Sequence, residues 1–301
     1  METVNVLMST YNGEKYLEEQ IQSIINQKGV NVILTVRDDG SNDSTISILE
    51  SYMERGVLKY YQGQNVRPAK SFMDLVRNAS DYNYYAFCDQ DDVWKPDKLI
   101  RAITCLDEYD SNEPLLYSAN FKLVDASLKP ISGSTHVTET NYETAIVSCC
   151  VTGCTAVFNK KLQALLKAYT PEYQGMHDSW AGRVCLAVGG KLIFDKDYEA
   201  LLYRQHGNNV LGGTKNTLSD RVKRFFKNAT RKECAISRQA EELLNGYSEF
   251  MSKENLALTK LVANYRCSFL SWMKLLTTNK IKMDNRTSLI LFRLKVFFRS
   301  L

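Results

Sequence analysis

Tyr84-Tyr85-Ala86-Phe87-Cys88-Asp89-Gln90-Asp91-Asp92-Val93-Trp94 is the stretch on which the reading of this chain turns. Residues 84–88 form an unbroken apolar run, the pattern of a strand covered on both faces. Asp89, Asp91 and Asp92 follow at once, then Trp94, then Pro96 opening a helical pattern. Like charges crowded at the end of a buried strand repel one another and resist desolvation. A divalent cation relieves that cost, and Asp-x-Asp suits a hard cation whose shell is completed by substrate phosphates. The plainer account is a helix start, where Asp is favourable as an N-cap. That account covers one Asp more readily than three.

Working outward, strand patterns at 4–8, 32–36, 57–61 and 84–88 alternate with helical patterns at 17–25, 46–53 and 69–79. Such alternation predicts an α/β fold with a mostly parallel, Rossmann-like sheet flanked by helices. Ligands bind such sheets at the carboxyl ends of the strands. The polar clusters at 9–14, 38–43 and 89–92 all follow strands, so the fold gathers them on one rim. Further on, the spacing predicts a helix over 96–109, a short strand over 115–118 and a hairpin or loop over 121–135. It then predicts a strand over 145–158 broken at Gly153, helices over 162–168 and 179–188, a strand over 191–194 and a loop following Leu201. Beyond Gly213 only helical spacing recurs, which divides the chain into a catalytic-type unit, 1–213, and a basic helical region, 214–301.

Composition narrows the class. The 301 residues are 44% hydrophobic and 24% charged, as in globular proteins. Strand pattern begins within a few residues of the start, so no secretory leader is expected, and no apolar stretch approaches a membrane span. The eight Cys include no C-x-x-C pair and sit mostly in apolar runs, which points to reduced, packed thiols rather than a zinc site or a disulfide frame. Residues 215–301 hold 18 Lys and Arg against 7 Asp and Glu, a net +11, leaving −7 for residues 1–214.

With these clusters in view, the chain resembles the family 2 glycosyltransferases. The resemblance rests on Ser9-Thr10-Tyr11-Asn12-Gly13, Asp38-Asp39-Gly40-Ser41-Asn42-Asp43-Ser44-Thr45 and Asp89-Gln90-Asp91-Asp92-Val93-Trp94. It is strong over residues 4–100 and weaker to about 213. The last motif, with Tyr203-Arg204-Gln205-His206-Gly207-Asn208-Asn209, resembles bacterial rhamnosyltransferases of cell-surface polysaccharide synthesis. The resemblance implies a GT-A fold, a nucleotide-sugar donor (dTDP-rhamnose, with a UDP-sugar as the alternative), a divalent metal (Mn2+ or Mg2+) and inversion at the anomeric carbon. The alternative of another class is a non-catalytic sugar-nucleotide- or glycan-binding protein, or a membrane scaffold.

The same resemblance places residues in roles. Asp91 is a metal ligand, and Asp89 either joins it or meets the ribose or a metal-bound water. For Asp92 a helix cap stays open. Ser9, Thr10 and Tyr11 match the base pocket, with Tyr11 placed to stack on a pyrimidine, and Asn12 and Gln90 belong to the same donor set. Asp39 matches the carboxylate that accepts from the base imide, while Asp38 fixes the loop. Glu14 either reaches the ribose or is an acid of the first helical turn. Arg67 and Lys70 are diphosphate contacts or plain surface cations, and Arg204 is a further diphosphate candidate. His206 is a metal ligand, or a diphosphate or acceptor contact. Inverting transfer needs a base on the acceptor hydroxyl, and Asp178 matches that position, with an N-cap for the following helix as the alternative. Trp94, Gly153, Cys154, His177 and Trp180 line the acceptor side, and core packing is the alternative for Trp180.

The basic region carries Arg221-Val222-Lys223-Arg224-Phe225-Phe226-Lys227, and a terminal helix in which Ile290, Leu291, Leu294, Phe297, Phe298 and Leu301 share a broad face. Basic amphipathic helices suit an anionic membrane surface, consistent with a lipid-linked glycan acceptor at the inner face of the bacterial plasma membrane and a cytoplasmic, peripheral protein. Packing on the catalytic unit or homodimerisation is the alternative. Nucleic acid is not expected, since no recognition motif accompanies the charge.

Overall fold

A computed structural model of the protein describes residues 1–132, 140–206, 234–283 and 286–301. The first half follows the strand–helix alternation. β1 (Thr3–Thr10), α1 (Leu17–Ile25), β2 (Asn31–Asp38), α2 (Thr45–Glu54), β3 (Leu58–Gln62), α3 (Arg67–Asn78) and β4 (Tyr84–Cys88) succeed one another. Their strands pair in parallel in the order β3-β2-β1-β4. Successive side chains on β1 and β4 point to opposite faces. Val4, Val6, Met8, Ala86 and Cys88 enter one buried cluster, and Leu7, Tyr85 and Phe87 the other. Both faces are covered, which is why these strands read as continuous apolar runs rather than alternating ones.

The second half adds β5 (Val93–Trp94), α4 (Lys98–Leu106), β6 (Leu115–Val124), α5 (Tyr142–Ala145), a 3-10 turn (Gly153–Thr155), β7 (Val157–Asn159), α6 (Lys160–Ala168), α7 (His177–Ala187) and β8 (Lys191–Arg204). Among the described residues the sheet has eight strands in the order β3-β2-β1-β4-β7-β6-β8-β5. β7 is antiparallel to β4 and β6, whereas β6 and β8 run parallel.

Three spans differ from the sequence expectation. β6 continues through Val124, into a span expected to be a hairpin or loop, and β8 runs unbroken from Lys191 to Arg204, where a strand over 191–194 alone was expected. Their pairing shifts register between Ala119 and Lys122; such bulges break the period of two by which a strand is recognised. The apolar span 145–158 is mostly not a strand. Ile146, Val147, Cys150 and Val151 form an irregular segment buried in the same cluster as α7's Ala181, Val184 and Cys185, and only its end joins the sheet. Burial, not pairing, explains its composition.

The C-terminal helices α8 (Ala235–Tyr247), α9 (Lys253–Asn264), α10 (Phe269–Thr277) and α11 (Arg286–Phe297) extend that core. Tyr247 and Trp180 rings lie 6.1 Å apart. Glu242 accepts from the Tyr169 hydroxyl at 2.6 Å and from the Tyr173 amide at 3.1 Å, and the Asn255 side-chain amide donates to the carbonyls of Leu186 and Ala187 at the end of α7. The boundary near 213, residues 221–227 and His136 lie outside the described residues. No helix among those described is long and apolar enough to cross a membrane. All eight Cys are free thiols.

Candidate active site

A cleft of about 360 Å3 opens at the carboxyl ends of β1, β2 and β4. Its walls bring together Ser9, Thr10, Tyr11, Asp39, Arg67, Asp89, Gln90, Asp91, Gly153, Cys154, His177 and Asp178, with Asn65, Pro68, Phe72, Thr152, Met176 and Tyr203. The parallel topology is the reason: β1, β2 and β4 end side by side, so three loops far apart in sequence converge.

One wall is built on two aspartates. Asp38 accepts from the Thr10 hydroxyl at 2.9 Å, from the Ser41 hydroxyl at 2.6 Å and from the amides of Gly40 and Ser41. It fixes the loop. Asp39 is 2% exposed and accepts from the Val66 and Arg67 amides at 3.0 and 2.9 Å. Arg37, which the sequence reading passed over, pairs with Asp39 and Asp74 and donates to the Ser71 hydroxyl, itself 2.6 Å from that of Ser9. Tyr11 is 45% exposed at the rim. The Gln90 amide is committed to the Tyr11 main chain, accepting from its N–H at 2.9 Å and donating to its carbonyl at 3.1 Å. Asn12 and Glu14 sit outside the cleft lining and lace the first two loops together: the Asn12 side chain accepts from the Asn42 amide, and Glu14 accepts from the Ser44 amide. Lys70 is exposed on α3 and does not line the cleft.

The acidic loop is more structured than its sequence suggests. Asp91 lies 2.7 Å from His206 Nε2. Asp89, Asp92 and Cys154 bring two carboxylate oxygens and a thiol within 4.8 Å of one another. Behind them lies Lys98, fully buried, its Nζ donating to the Cys154 carbonyl at 2.8 Å and standing 2.9 Å from the Trp94 ring centre. Burial first, then neighbouring carboxylates, push Asp89 and Asp92 up, while burial brings the Lys98 ammonium down to about 7. Asp92 is not a helix cap: Asp97 stands at that position of α4, and Asp92 instead accepts from the Arg204 amide at 3.1 Å. Its other oxygen is buried with no partner. A set of carboxylate oxygens that resist ionisation together is the chemistry a hard divalent cation satisfies. Asp89, which belongs to that set and lines the cleft, therefore fits such an ion, and Asp91 lines the cleft beside it.

Arg204 does not reach the cleft. It is 2% exposed, donating from Nε to the Asp91 carbonyl at 2.9 Å and from Nη1 to the Ala126 carbonyl at 2.8 Å, pairing with Glu19 and covering the Tyr16 ring. It is the bolt of the acidic loop rather than a diphosphate contact. Trp94 and Trp180 are corrected too. Both are buried, Trp94 under Lys98 and Trp180 in the core beside Tyr247, so neither offers a ring to a sugar.

Opposite the acidic loop stands Asp178, 8% exposed. It lies in the first turn of α7, whose N-cap is Met176, so the capping alternative does not hold. One oxygen accepts from the Gly153 amide at 3.0 Å and the other from the Ser179 amide at 2.6 Å. Burial raises its pKa, and these two amides oppose the rise. A Cβ on Gly153 would stand 2.8 Å from His177 Nε2 and 3.3 Å from Asp178 Oδ2, so only glycine allows this approach. His177 stacks on Phe72 at 3.8 Å and meets Phe87 edge-on at 4.7 Å. Neither of its ring nitrogens has a partner, and burial lowers its pKa to about 3, so the ring is neutral. Thr152 and Met176 are lining residues the sequence did not signal, and Tyr203 lines the cleft though only its motif, not a role, was read from the sequence. Lys98 had one cue, a cation opening a helix otherwise apolar on that face.

A mostly parallel sheet with a carboxylate loop after its fourth strand and a facing carboxylate is the GT-A arrangement, and the comparisons agree. The glycosyl transferase family 2 model matches residues 5–166, and the chain belongs to that family: it is a glycosyltransferase served by a nucleotide-sugar donor. It is 31% identical over 227 residues to the dTDP-rhamnosyl transferase RfbG of Shigella flexneri, covering 68% of this chain and 73% of that one. An uncharacterised glycosyltransferase of Rickettsia typhi is 23% identical over 83% of this chain and 89% of its own length. Among solved structures, S. aureus TarS 1–349 in complex with UDP-GlcNAc superposes with a TM-score of 0.60 at 18% identity, covering 98% of this chain and 81% of that chain. The mannosyltransferase PcManGT of Pyrobaculum calidifontis, in complex with GDP-Man and Mn2+, gives 0.52 at 16%, covering 98% and 85%.

Proposed function

We propose that the protein is a metal-dependent, inverting rhamnosyltransferase that moves L-rhamnose from dTDP-L-rhamnose to a lipid-linked or growing surface-polysaccharide acceptor. The observation that carries this reading is the pairing across one cleft of Asp178, held by two backbone amides, with the Asp89–Asp91 loop. Asp178 takes the proton of the acceptor hydroxyl; the freed oxygen attacks the anomeric carbon as the bond to the diphosphate breaks on the opposite side. The amides of Gly153 and Ser179 hold its carboxylate in place and keep part of its charge solvated by dipoles, which a desolvated base requires. Asp89 and Asp91 would hold Mn2+ or Mg2+, which when bound supplies electrostatic stabilisation of the leaving diphosphate. Arg67, exposed at the rim, is the cation nearest that role on the protein side. Asp39, Ser9, Thr10 and Tyr11 form the base end. The neutral His177 offers one donor and one acceptor to a sugar hydroxyl. The identity to RfbG supports rhamnose and thymidine.

The test is a thermal-shift series with nucleotide sugars, with and without Mn2+ or Mg2+, since a ligand that binds the native state raises its melting temperature. A metal-dependent rise with dTDP-L-rhamnose, larger than with UDP-sugars and lost in Asp91→Asn, is expected. A larger rise with a UDP-sugar keeps the transferase and discards the rhamnose; a rise independent of metal discards the Asp89–Asp91 assignment.

A further inference from the structure

The terminal helix α11 is apolar on two sides. Phe292 and Val296 face the core, and the buried Leu301 follows, its carbonyl accepting from Ser237 Oγ. Ile290, Leu294 and Phe297, together with Phe298 just beyond the helix, point away from it and are 38–58% exposed. The broad single face expected from the sequence is thus split, with Leu301 inside. The outer side is continuous with α10, where Phe269 and Leu270 are 65% and 79% exposed. The rings of Phe269, Trp272, Phe297 and Phe298 form a chain with successive centroids 5.5, 5.9 and 5.3 Å apart. Among the described residues nothing covers this outer side, and an apolar helix face is ordinarily a covered one.

The charge around it selects the cover. Residues 266–301 hold eight Lys and Arg against a single Asp, a net +7. A second copy seated by two-fold symmetry would bring the same basic segment against itself, and like charges across an interface oppose association. An anionic lipid surface meets both requirements, taking the aromatic side chains at its interface and the cations among its headgroups. We infer that the α10–α11 surface, with Phe269, Leu270, Phe297 and Phe298 as its inserting side chains, docks the enzyme on an anionic bilayer. This extends the proposed reading, from which it takes only the lipid-linked acceptor.

The experiment is flotation of the full chain with vesicles of phosphatidylcholine, with and without about 30 mol % phosphatidylglycerol, at low salt and at about 0.5 M NaCl. Phe269→Glu with Leu270→Glu, and separately Phe297→Ser with Phe298→Ser, are compared with the unaltered chain. Sedimentation velocity and the nucleotide-sugar thermal shift accompany each variant. Binding to the anionic vesicles alone is expected, reduced by salt and at least about tenfold weaker in both variants, with the donor shift unchanged. No binding to anionic vesicles, or equal binding by the variants, overturns the proposal. So does a dimer that the substitutions dissociate, which would make the cover a second copy. Loss of the donor shift in the unaltered chain tests the rhamnosyltransferase reading instead, independently of where the protein floats.

Discussion

Arg204→Met separates a structural guanidinium from a substrate-binding one. The Arg204 side chain is buried and donates to two main-chain carbonyls, those of Asp91 and Ala126. Charge-assisted hydrogen bonds contribute roughly 1.5–3 kcal/mol each. The pair with Glu19 adds little, at most about 1 kcal/mol, because the Glu19 side chain is 48% exposed and screened. Removing the cation also relieves its own desolvation, which offsets part of the loss. Methionine keeps most of the stem volume over Tyr16 and leaves the Asp91 and Ala126 carbonyls without the donors that Arg204 supplied. The net destabilisation is about 3 kcal/mol, which for a chain of this size lowers the melting temperature by roughly 5 °C. The measurement is thermal unfolding without ligand or metal, followed by donor binding well below the new midpoint. The Asp91 carbonyl is part of the acidic loop, so the metal-dependent donor shift should shrink as well. A variant that melts with the unaltered protein yet binds donor weakly would refute the reasoning and return Arg204 to the diphosphate.

Asp178→Asn is expected to lower transfer by about 10²–10⁴-fold with donor binding retained, as measured by single-turnover transfer beside the thermal shift; normal turnover would remove the base assignment. Gly153→Ala forces its Cβ against His177 and Asp178, so it should weaken transfer more than donor binding and lower stability by about 1–3 kcal/mol, checked by kinetics and urea unfolding. His177 is neutral in the fold with a pKa near 3, whereas the unfolded chain takes its proton near pH 6.5. Stability from this group is therefore present above pH about 6.5 and is lost as pH falls toward about 3, on the order of 5 kcal/mol. His177→Phe should flatten that limb of a melting-temperature-versus-pH curve, and an unchanged limb would show that the acid loss lies elsewhere.

Where the sequence was legible, local rules were enough. β1 to β4 are strand patterns divided by helical periodicity, and β1, β2 and β4 each end in a polar cluster, so parallel pairing and the shared rim followed without coordinates. Asp89 and Asp91 stood out as carboxylates crowded at a strand end, whereas Asp39 and Asp178 were named through the resemblance to the family. Tertiary structure alone decided the rest. Every residue of α7 from His177 to Ala187 is buried, so no amphipathic stripe tells that Asp178 and His177 meet the cleft while Trp180 enters the core. Arg204 and Trp94 are polar or amphipathic side chains beside the motif, and only the packing of β8 and α4 shows that their donors and faces are already taken. The bulged pair β6–β8 escaped because a register shift erases the period of two. In α11 the sequence shows apolar residues that can share a broad face, but which of them are inside depends on the helices packed against it. Sequence fixes what a segment can form and what chemistry its side chains carry; burial, which selects among those possibilities, is a property of everything packed around it.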